Sequence, residues 1–157
     1  MKIADVAGAG PALTLETVLH GETAVWGMFQ DRFGVPRQTF RAHISGQWEE
    51  TTQRLTLTED FTVLGGETTR RVWTLTKRGD GVYQGDANDL VNGVDVWTGG
   101  AAARMRYRMR VPIGGRAWAL SFDDWLFRID ERVILNRATV TKVGITLGTV
   151  TSVFEPA

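Results

Sequence analysis

The chain has 157 residues, which is the size of one domain. It contains no Cys, two His, and 18 basic and 18 acidic residues. This composition excludes disulfides, thiolate metal sites and a cysteine nucleophile, and the neutral net charge argues against nucleic-acid binding. No apolar run approaches the roughly 18 residues of a membrane-spanning helix. We expect a single domain over residues 1–157, with no metal and no cofactor.

Residues 1–22 are predicted to form an N-terminal arm and a short helix that covers one end of the domain. Leu15, Val18 and Leu19 would share one face of that helix, and Thr14 would cap it. The start lacks the charged segment and apolar stretch of a signal peptide. The expected compartment is the cytoplasm if the start is native. It is the periplasm, or a membrane-anchored state, if a leader was removed.

From Thr23 onward, apolar and polar residues alternate, as is typical of strands with one buried and one exposed face. This pattern predicts an all-β fold of about eight to ten antiparallel strands joined in chain order. Closure into an up-and-down barrel would remove the edge strands and leave space for one small ligand. A β-sandwich is the alternative. The turn signals are Arg32-Phe33-Gly34, Gly65-Gly66, Gly79-Asp80-Gly81, Asn92-Gly93, Gly114-Gly115, Asp130-Glu131 and Val143-Gly144.

Turn lengths predict which residues pair across each hairpin. A two-residue turn at 114–115 pairs Tyr107 with Phe122 and Met105 with Asp124, so apolar side chains meet on one face.

Two further turns would set the registers of their hairpins. A two-residue turn at Asp130-Glu131 would pair Asp124 with Arg137. For the Gly65-Gly66 hairpin, a three-residue loop that pairs Glu59 with Trp73 suits the pattern better than a two-residue loop.

Four charged residues share the apolar, inward parity of their strands: Glu59, Arg71, Asp124 and Arg137. Because buried charge is costly unless paired, one interpretation is structural, with Asp124–Arg137 and Glu59–Arg71 ion pairs that fix the strand register. The second interpretation is a ligand cavity in which Arg71 or Arg137 holds a carboxylate and apolar side chains hold its tail. The third is acid–base catalysis by Asp124 or Glu59.

A row of arginines, Arg104, Arg106, Arg108 and Arg110, occupies the opposite, outward parity of one strand; we call it the arginine ridge. It is either a solvated strand face that blocks edge pairing or a surface that attracts anionic headgroups or an acidic partner. In the second case an exposed Trp125 would contribute to docking.

Six motifs stand in order along the chain: Trp26–Gly34, Glu59–Phe61, Arg71–Leu75, Gly79–Gly85, Phe122–Trp125 and Asn136–Thr139. Together they resemble a bacterial family known as domain of unknown function 3833, described as lipocalin-like. The resemblance covers about residues 11–154, and it implies a small barrel and a link to lipids. The sequence differs from the family pattern after Asp89, where it has Leu90-Val-Asn-Gly-Val-Asp-Val-Trp97.

Three functional hypotheses follow. The first is a binding module for a fatty-acyl or other elongated apolar molecule. The second is a cofactor-free enzyme that modifies a lipid-like substrate, with Asp124 or Glu59 as acid or base; the absence of a nucleophile motif argues against it. The third is a docking module for membrane or envelope partners that uses the arginine ridge. The residues expected to contact the ligand are Arg71, Trp73, Met105, Tyr107, Met109, Phe122, Asp124 and Arg137.

Overall fold

A computed structural model describes residues 1–6, 8 and 10–157 of the chain. A 3₁₀ turn (Ile3–Val6) and one short helix, α1 (Leu15–Val18), precede ten strands. The strands are β1 (Gly21–Asp31), β2 (Pro36–Glu49), β3 (Arg54–Val63), β4 (Thr68–Gly79), β5 (Val82–Ala87), β6 (Leu90–Gly99), β7 (Ala102–Ile113), β8 (Arg116–Arg128), β9 (Ile134–Lys142) and β10 (Ile145–Pro156).

The ten strands form one closed antiparallel barrel. Each strand pairs with its neighbours in the chain, and β1 pairs with both β2 and β10, so the ring has no free edge. The predicted up-and-down barrel is therefore confirmed, and the sandwich alternative is wrong. Closure satisfies the backbone N–H and C=O groups that edge strands would leave exposed.

The two ends of the barrel differ. Because consecutive strands are antiparallel, every second loop falls at the same end. At one end, which we call the closed end, α1 covers the interior, and Leu13, Leu15 and Leu19 are at most 4% exposed. The other end, the open end, carries the β1–β2, β3–β4, β5–β6, β7–β8 and β9–β10 loops. The N-terminal segment thus acts as the predicted lid, although Ala7 and Ala9 of the predicted arm lie outside the described residues.

The observed registers confirm one predicted hairpin and correct another. Tyr107 pairs with Phe122 and Met105 with Asp124, as the two-residue turn predicts. The expected pairing of Glu59 with Trp73 is wrong, because Thr62 lies opposite Thr68, so the hairpin is centred on Gly65 and not on Gly66. Glu59 lies directly opposite Arg71 instead.

The Asn92-Gly93 signal is not a turn. Both residues have positive φ angles, 64° and 74°, and they form an irregularity inside β6, between Val91 and Val94. The β5–β6 turn lies earlier, at residues 88–89. A glycine with positive φ marks a bulge as readily as a hairpin turn, so the dipeptide alone did not distinguish the two.

Within the described residues, no helix is long and apolar enough to cross a membrane.

Candidate functional site

The closed half of the interior is packed with apolar side chains beneath α1. Leu55, Leu75 and Tyr83 are fully buried there and complete the packing of the N-terminal leucines. The Tyr83 hydroxyl accepts a hydrogen bond from the Leu15 amide at 3.3 Å and donates one to Glu16. These contacts fasten α1 to the wall of the barrel.

Glu16 anchors α1 through charge as well. Burial alone would raise the pKa of its carboxyl, but hydrogen bonds from Lys77, with Nζ to Oε2 at 2.7 Å, and from Tyr83 outweigh burial, so the pKa is lowered. The same burial and the hydrogen bond to Glu16 raise the pKa of the Tyr83 hydroxyl. The carboxylate is thus kept ionised where α1 meets the barrel.

The half toward the open end contains side chains that are only partly buried. The inward-facing Phe61, Met105, Tyr107, Met109 and Phe122 all keep part of their surface accessible to solvent. A side chain that faces the inside of a closed barrel stays accessible only where neighbouring side chains leave space. We infer from this accessibility that some space remains beside these aromatic and thioether side chains.

A polar cluster lies among these apolar side chains. Arg71 and Glu59 face inward from β4 and β3, with Nη1 to Oε1 at 3.2 Å, and their side chains are 19% and 18% exposed. The Trp73 indole N–H donates to the same Glu59 oxygen at 3.4 Å. The Arg71 Nε is buried and has no hydrogen-bond partner in the part of the chain that the structure describes. The guanidinium therefore keeps a donor free for a further acceptor.

Asp124 is the second carboxyl of the cluster, and it is 9% exposed. Its Oδ2 accepts hydrogen bonds from the Tyr107 hydroxyl at 3.2 Å and from the Asn136 amide at 3.4 Å. Its Oδ1 is buried and has no hydrogen-bond partner among the described residues. An unpaired buried oxygen costs free energy of folding. A hydrogen bond from a ligand to Oδ1 would recover that cost.

Burial dominates the electrostatics of both carboxyls. Desolvation raises the pKa of Asp124 to about 7, against the hydrogen bonds from Asn136 and Tyr107, and the charges of Asp123 and Glu59 raise it further. Desolvation also raises the pKa of Glu59, although the charge of Arg71 opposes this. The pKa of the Tyr107 hydroxyl is raised well above its usual value, by burial and then by the charges of Asp124 and Glu59. Asp124 thus exchanges a proton near neutral pH.

The aromatic wall connects the two carboxyls. Trp73 meets Tyr107 edge to face at 5.3 Å between ring centroids, and Tyr107 stacks on Phe122 at 5.1 Å. Arg71, Glu59, Trp73, Tyr107 and Asp124 therefore form one continuous surface across four strands.

The structure brings together every predicted site residue except Arg137. Arg137 is exposed on the outer face of β9, opposite Trp125, so the predicted Asp124–Arg137 pair is wrong. The β8–β9 loop spans residues 129–133 and closes through a hydrogen bond from the Ile129 amide to the Val133 carbonyl. The register is therefore one residue away from the prediction, and such a slip moves each side chain to the other face.

Asn136 is the site residue that the sequence reasoning missed. It is 6% exposed and faces inward from β9 between Ile134 and Ala138, which are also buried. An amide on an inward apolar parity is the signal that could have identified it, had the register been known.

The arginine ridge faces outward as predicted, and Arg106, Arg108 and Arg110 are exposed. Arg104 instead binds Asp123 through two contacts, at 2.8 and 2.6 Å, and its guanidinium lies over the Trp125 ring at 4.9 Å. Trp125 is only 8% exposed, so the expectation of an exposed Trp125 is wrong.

Two surface clefts lie outside the polar cluster. One, of about 140 Å³, lies at the closed end between α1 and the end of β10, and its lining includes His20, Glu22 and Arg128. The other, of about 380 Å³, is a groove at the open end lined by residues 36–39, Val63 and Leu64. Neither cleft includes Arg71 or Asp124.

Comparison with known proteins identifies a family and a fold. The profile of a family described as "Protein of unknown function (DUF3833)" matches residues 1–156. No curated protein matches the chain.

Two solved structures share the architecture. A protein of unknown function from the DUF3598 family of Nostoc punctiforme PCC 73102 has a TM-score of 0.69 at 17% identity, and the match covers 94% of this chain and 50% of that one. This chain thus spans half of that protein. The S-type phycobiliprotein lyase CPES from Guillardia theta has a TM-score of 0.61 at 7% identity, with 100% and 98% of the two chains covered. These likenesses support a lipocalin-like barrel.

Proposed function

This chain belongs to the DUF3833 family of proteins of unknown function, and we propose that it binds an elongated apolar small molecule, such as a fatty-acyl chain, inside its barrel. The observation that carries the proposal is a pair of buried polar atoms inside the barrel, Arg71 Nε and Asp124 Oδ1, which have no hydrogen-bond partner among the described residues. Arg71 would hold the polar head of the ligand, and the aromatic wall would hold the tail.

The polar atoms favour an acidic head group. The Arg71 guanidinium makes a single contact with Glu59, so its buried Nε can donate to a ligand carboxylate. The partnerless Asp124 Oδ1, on a carboxyl with a pKa of about 7, can accept from a ligand hydroxyl or, when protonated, donate to a second ligand oxygen.

The wall favours a flexible apolar tail. Met105 and Met109 lie on either side of Tyr107 on the inward face of β7, and Phe122 and Trp73 pack against the Tyr107 ring. Methionine side chains adapt to ligands of differing shape, and aromatic rings contribute large contact areas.

Native mass spectrometry on protein purified without detergent, followed by denaturing extraction and lipid analysis, tests the proposal. We expect an acyl species at near one-to-one stoichiometry. Arg71→Gln should weaken binding of a fluorescent fatty acid by about tenfold or more, because a buried charged hydrogen bond is lost. Arg70→Gln is the matched control, since Arg70 is the next residue on β4 and pairs with Asp60 on the outer face.

The proposal fails if no lipid co-purifies and fatty acids neither bind nor raise the melting temperature. It also fails if Arg70→Gln and Arg71→Gln weaken binding equally, because the inward guanidinium would then have no special role.

Acid–base catalysis on a lipid-like substrate is a second candidate, and the raised pKa of Asp124 favours it. In an enzyme, Asp124→Asn would stop turnover, so the substrate would accumulate in the purified variant while the wild type carried product or nothing. In a binding module, both proteins would carry the same molecule. A carboxyl that titrates near pH 4 by NMR would contradict this candidate.

Docking through the arginine ridge is a third candidate with less support. Arg104 is engaged by Asp123 and Trp125 is buried, so Arg106, Arg108 and Arg110 alone remain exposed for a partner.

A further inference from the structure

Large apolar side chains are exposed at the tips of the open-end loops. Val143, Phe33 and Leu64 are 91%, 77% and 71% exposed, and they lie in three different loops. Among the described closed-end loops, only residues 129–133 expose a large apolar side chain, Ile129. The remaining apolar residues of the open end are Val35, Ile113 and Ile145.

These residues lie on neighbouring hairpins. The order of strands around the ring places β7–β8, β9–β10, β1–β2 and β3–β4 side by side, and each of these hairpins carries at least one of the six residues. We call this arc the apolar rim. The fifth loop, at Asn88-Asp89, is polar. The exposed apolar groups are therefore gathered along the mouth of the barrel rather than scattered over the surface, which is the pattern of an interaction site.

Val143 is unfavourable for stability in a second way, because its backbone is strained as well as its side chain being exposed. It occupies the two-residue β9–β10 turn with a φ of 48°, and Gly144 follows at 78°. A β-branched residue in the left-handed region is strained, and asparagine is the usual residue in such a turn. A valine that is both strained and exposed is unfavourable for folding, and a contact outside the chain would offset that cost.

The charges beside the β7–β8 and β9–β10 turns of this arc are positive, whereas the β3–β4 loop carries one acidic residue, Glu67. Arg116 and Lys142 flank the β7–β8 and β9–β10 turns, and both lie against the ring of Trp118, at 5.5 and 3.1 Å from its centroid. Residues 111–120 and 140–149 contain no acidic residue. On the β1–β2 loop, the Arg32 guanidinium lies 4.9 Å from the Phe33 ring. Apolar tips flanked by cations complement a surface that is apolar within and anionic at its boundary.

We propose that the apolar rim docks the barrel onto an anionic lipid bilayer. Phe33, Leu64 and Val143 enter the boundary between headgroups and acyl chains, and Arg116 and Lys142 contact the anionic headgroups. The mouth then faces the bilayer, with the open-end half of the interior directly above it. The docking surface differs from the arginine ridge, and the inference does not depend on what the interior binds.

Flotation with phosphatidylcholine vesicles, with and without phosphatidylglycerol, tests the proposal. We expect binding to the anionic vesicles that weakens as salt is added. Phe33→Ser should lower the partition coefficient about tenfold, because the apolar contact of the ring is lost. Ile129→Ser is the matched control, an exposed apolar loop residue at the closed end, and should bind as the wild type does.

Val143→Asn separates docking from folding. Asparagine suits the left-handed turn, so this variant should melt at a higher temperature than the wild type while binding anionic vesicles several-fold more weakly. A loss of binding in a stabilised protein cannot come from misfolding. Lys142→Glu should weaken binding to anionic vesicles more than Arg106→Glu, which changes the ridge.

Three results would overturn the proposal. One is a wild-type protein that does not float with anionic vesicles. Another is equal binding by the wild type, Phe33→Ser and Val143→Asn. The third is a concentration-dependent dimer that Val143→Asn abolishes, which would assign the rim to a second copy of the chain.

Discussion

Arg71 and Glu59 face each other across β3 and β4 through one contact of 3.2 Å, inside the barrel. In the neighbouring residue pair of the same two strands, Arg70 donates two hydrogen bonds to Asp60, at 2.8 and 3.0 Å, on the outer face. The better-formed pair is thus the one exposed to solvent, and the buried pair leaves the Arg71 Nε without a partner. This is the arrangement expected where a polar contact is reserved for another molecule.

Breaking the two pairs should have unequal effects on stability. We expect Arg71→Gln to cost about 1–3 kcal/mol at neutral pH, because it leaves the Glu59 carboxylate buried without its cation. The cost should shrink in acid, where Glu59 is protonated. Arg70→Gln should cost less than about 1 kcal/mol, as exposed pairs do. Urea unfolding at several pH values measures both. Restored stability in Arg71→Gln/Glu59→Gln would support this explanation, and an unchanged cost in the double variant would contradict it.

Asp124 should make the protein less stable as pH rises. Its folded pKa of about 7 lies above the unfolded value, so the folded state holds a proton that the unfolded state has lost between about pH 4 and 7. The free energy of unfolding therefore falls across this window, by at most about 4 kcal/mol from this group. Asp124→Asn should flatten the slope and gain relative stability toward pH 7. A slope that survives the substitution would exclude Asp124 as its source.

Glu16 should change the pH dependence of stability in the direction opposite to Asp124, so that it makes the protein more stable as pH rises. Its pKa is lowered in the folded state, so its stabilisation is present above the unfolded pKa and is lost as pH falls through the folded pKa. We expect Glu16→Gln to cost about 1–2 kcal/mol at neutral pH, through weaker bonds to Lys77 and Tyr83. The difference from the wild type should fade in acid. The exposed Glu49→Gln serves as the charge control, and an equal loss in both would refute the anchoring role of Glu16.

Gly46 allows the chain leading from α1 to lie against β2. A methyl group at this position would overlap the carbonyl of Leu19. Gly46→Ala should therefore cost about 1–3 kcal/mol and expose residues 13–19 to limited proteolysis. Gly79→Ala, with no atom within 4 Å of an added Cβ, should change stability by less than about 0.5 kcal/mol. If the N-terminal segment of Gly46→Ala resists protease as the wild type does, the lid does not depend on this contact.

The alternation of apolar residues was sufficient to predict the strands and the inward face of most of them. It identified Glu59, Arg71 and Asp124 as inward charges, because each interrupts an apolar parity. Alternation cannot set the register between strands, which depends on the loops. The diglycine at 114–115 forms a true two-residue turn, and the pairings that follow from it are those observed.

The predicted length of the β8–β9 loop was wrong because a side chain determines the length of this loop. Asp130 accepts hydrogen bonds from the amides of Arg132 and Val133, both at 2.8 Å, and so extends the β8–β9 loop. Those bonds favour a longer loop over a two-residue turn. The resulting one-residue change places Arg137 outside and Asn136 inside the barrel. The unpaired atoms of Arg71 and Asp124 could not be foreseen, because they depend on side-chain geometry across several strands.

The seam between β1 and β10 has a consequence for biosynthesis. The strand that begins the barrel bonds to the strand that ends it, along a ladder from Thr23–Pro156 to Asp31–Gly148. During translation, β1 must therefore wait for the last strand to leave the ribosome, and until then the nascent sheet has two open edges. The half-made protein is the form most exposed to aggregation, so chaperone dependence should concentrate in this interval and end when β10 is released.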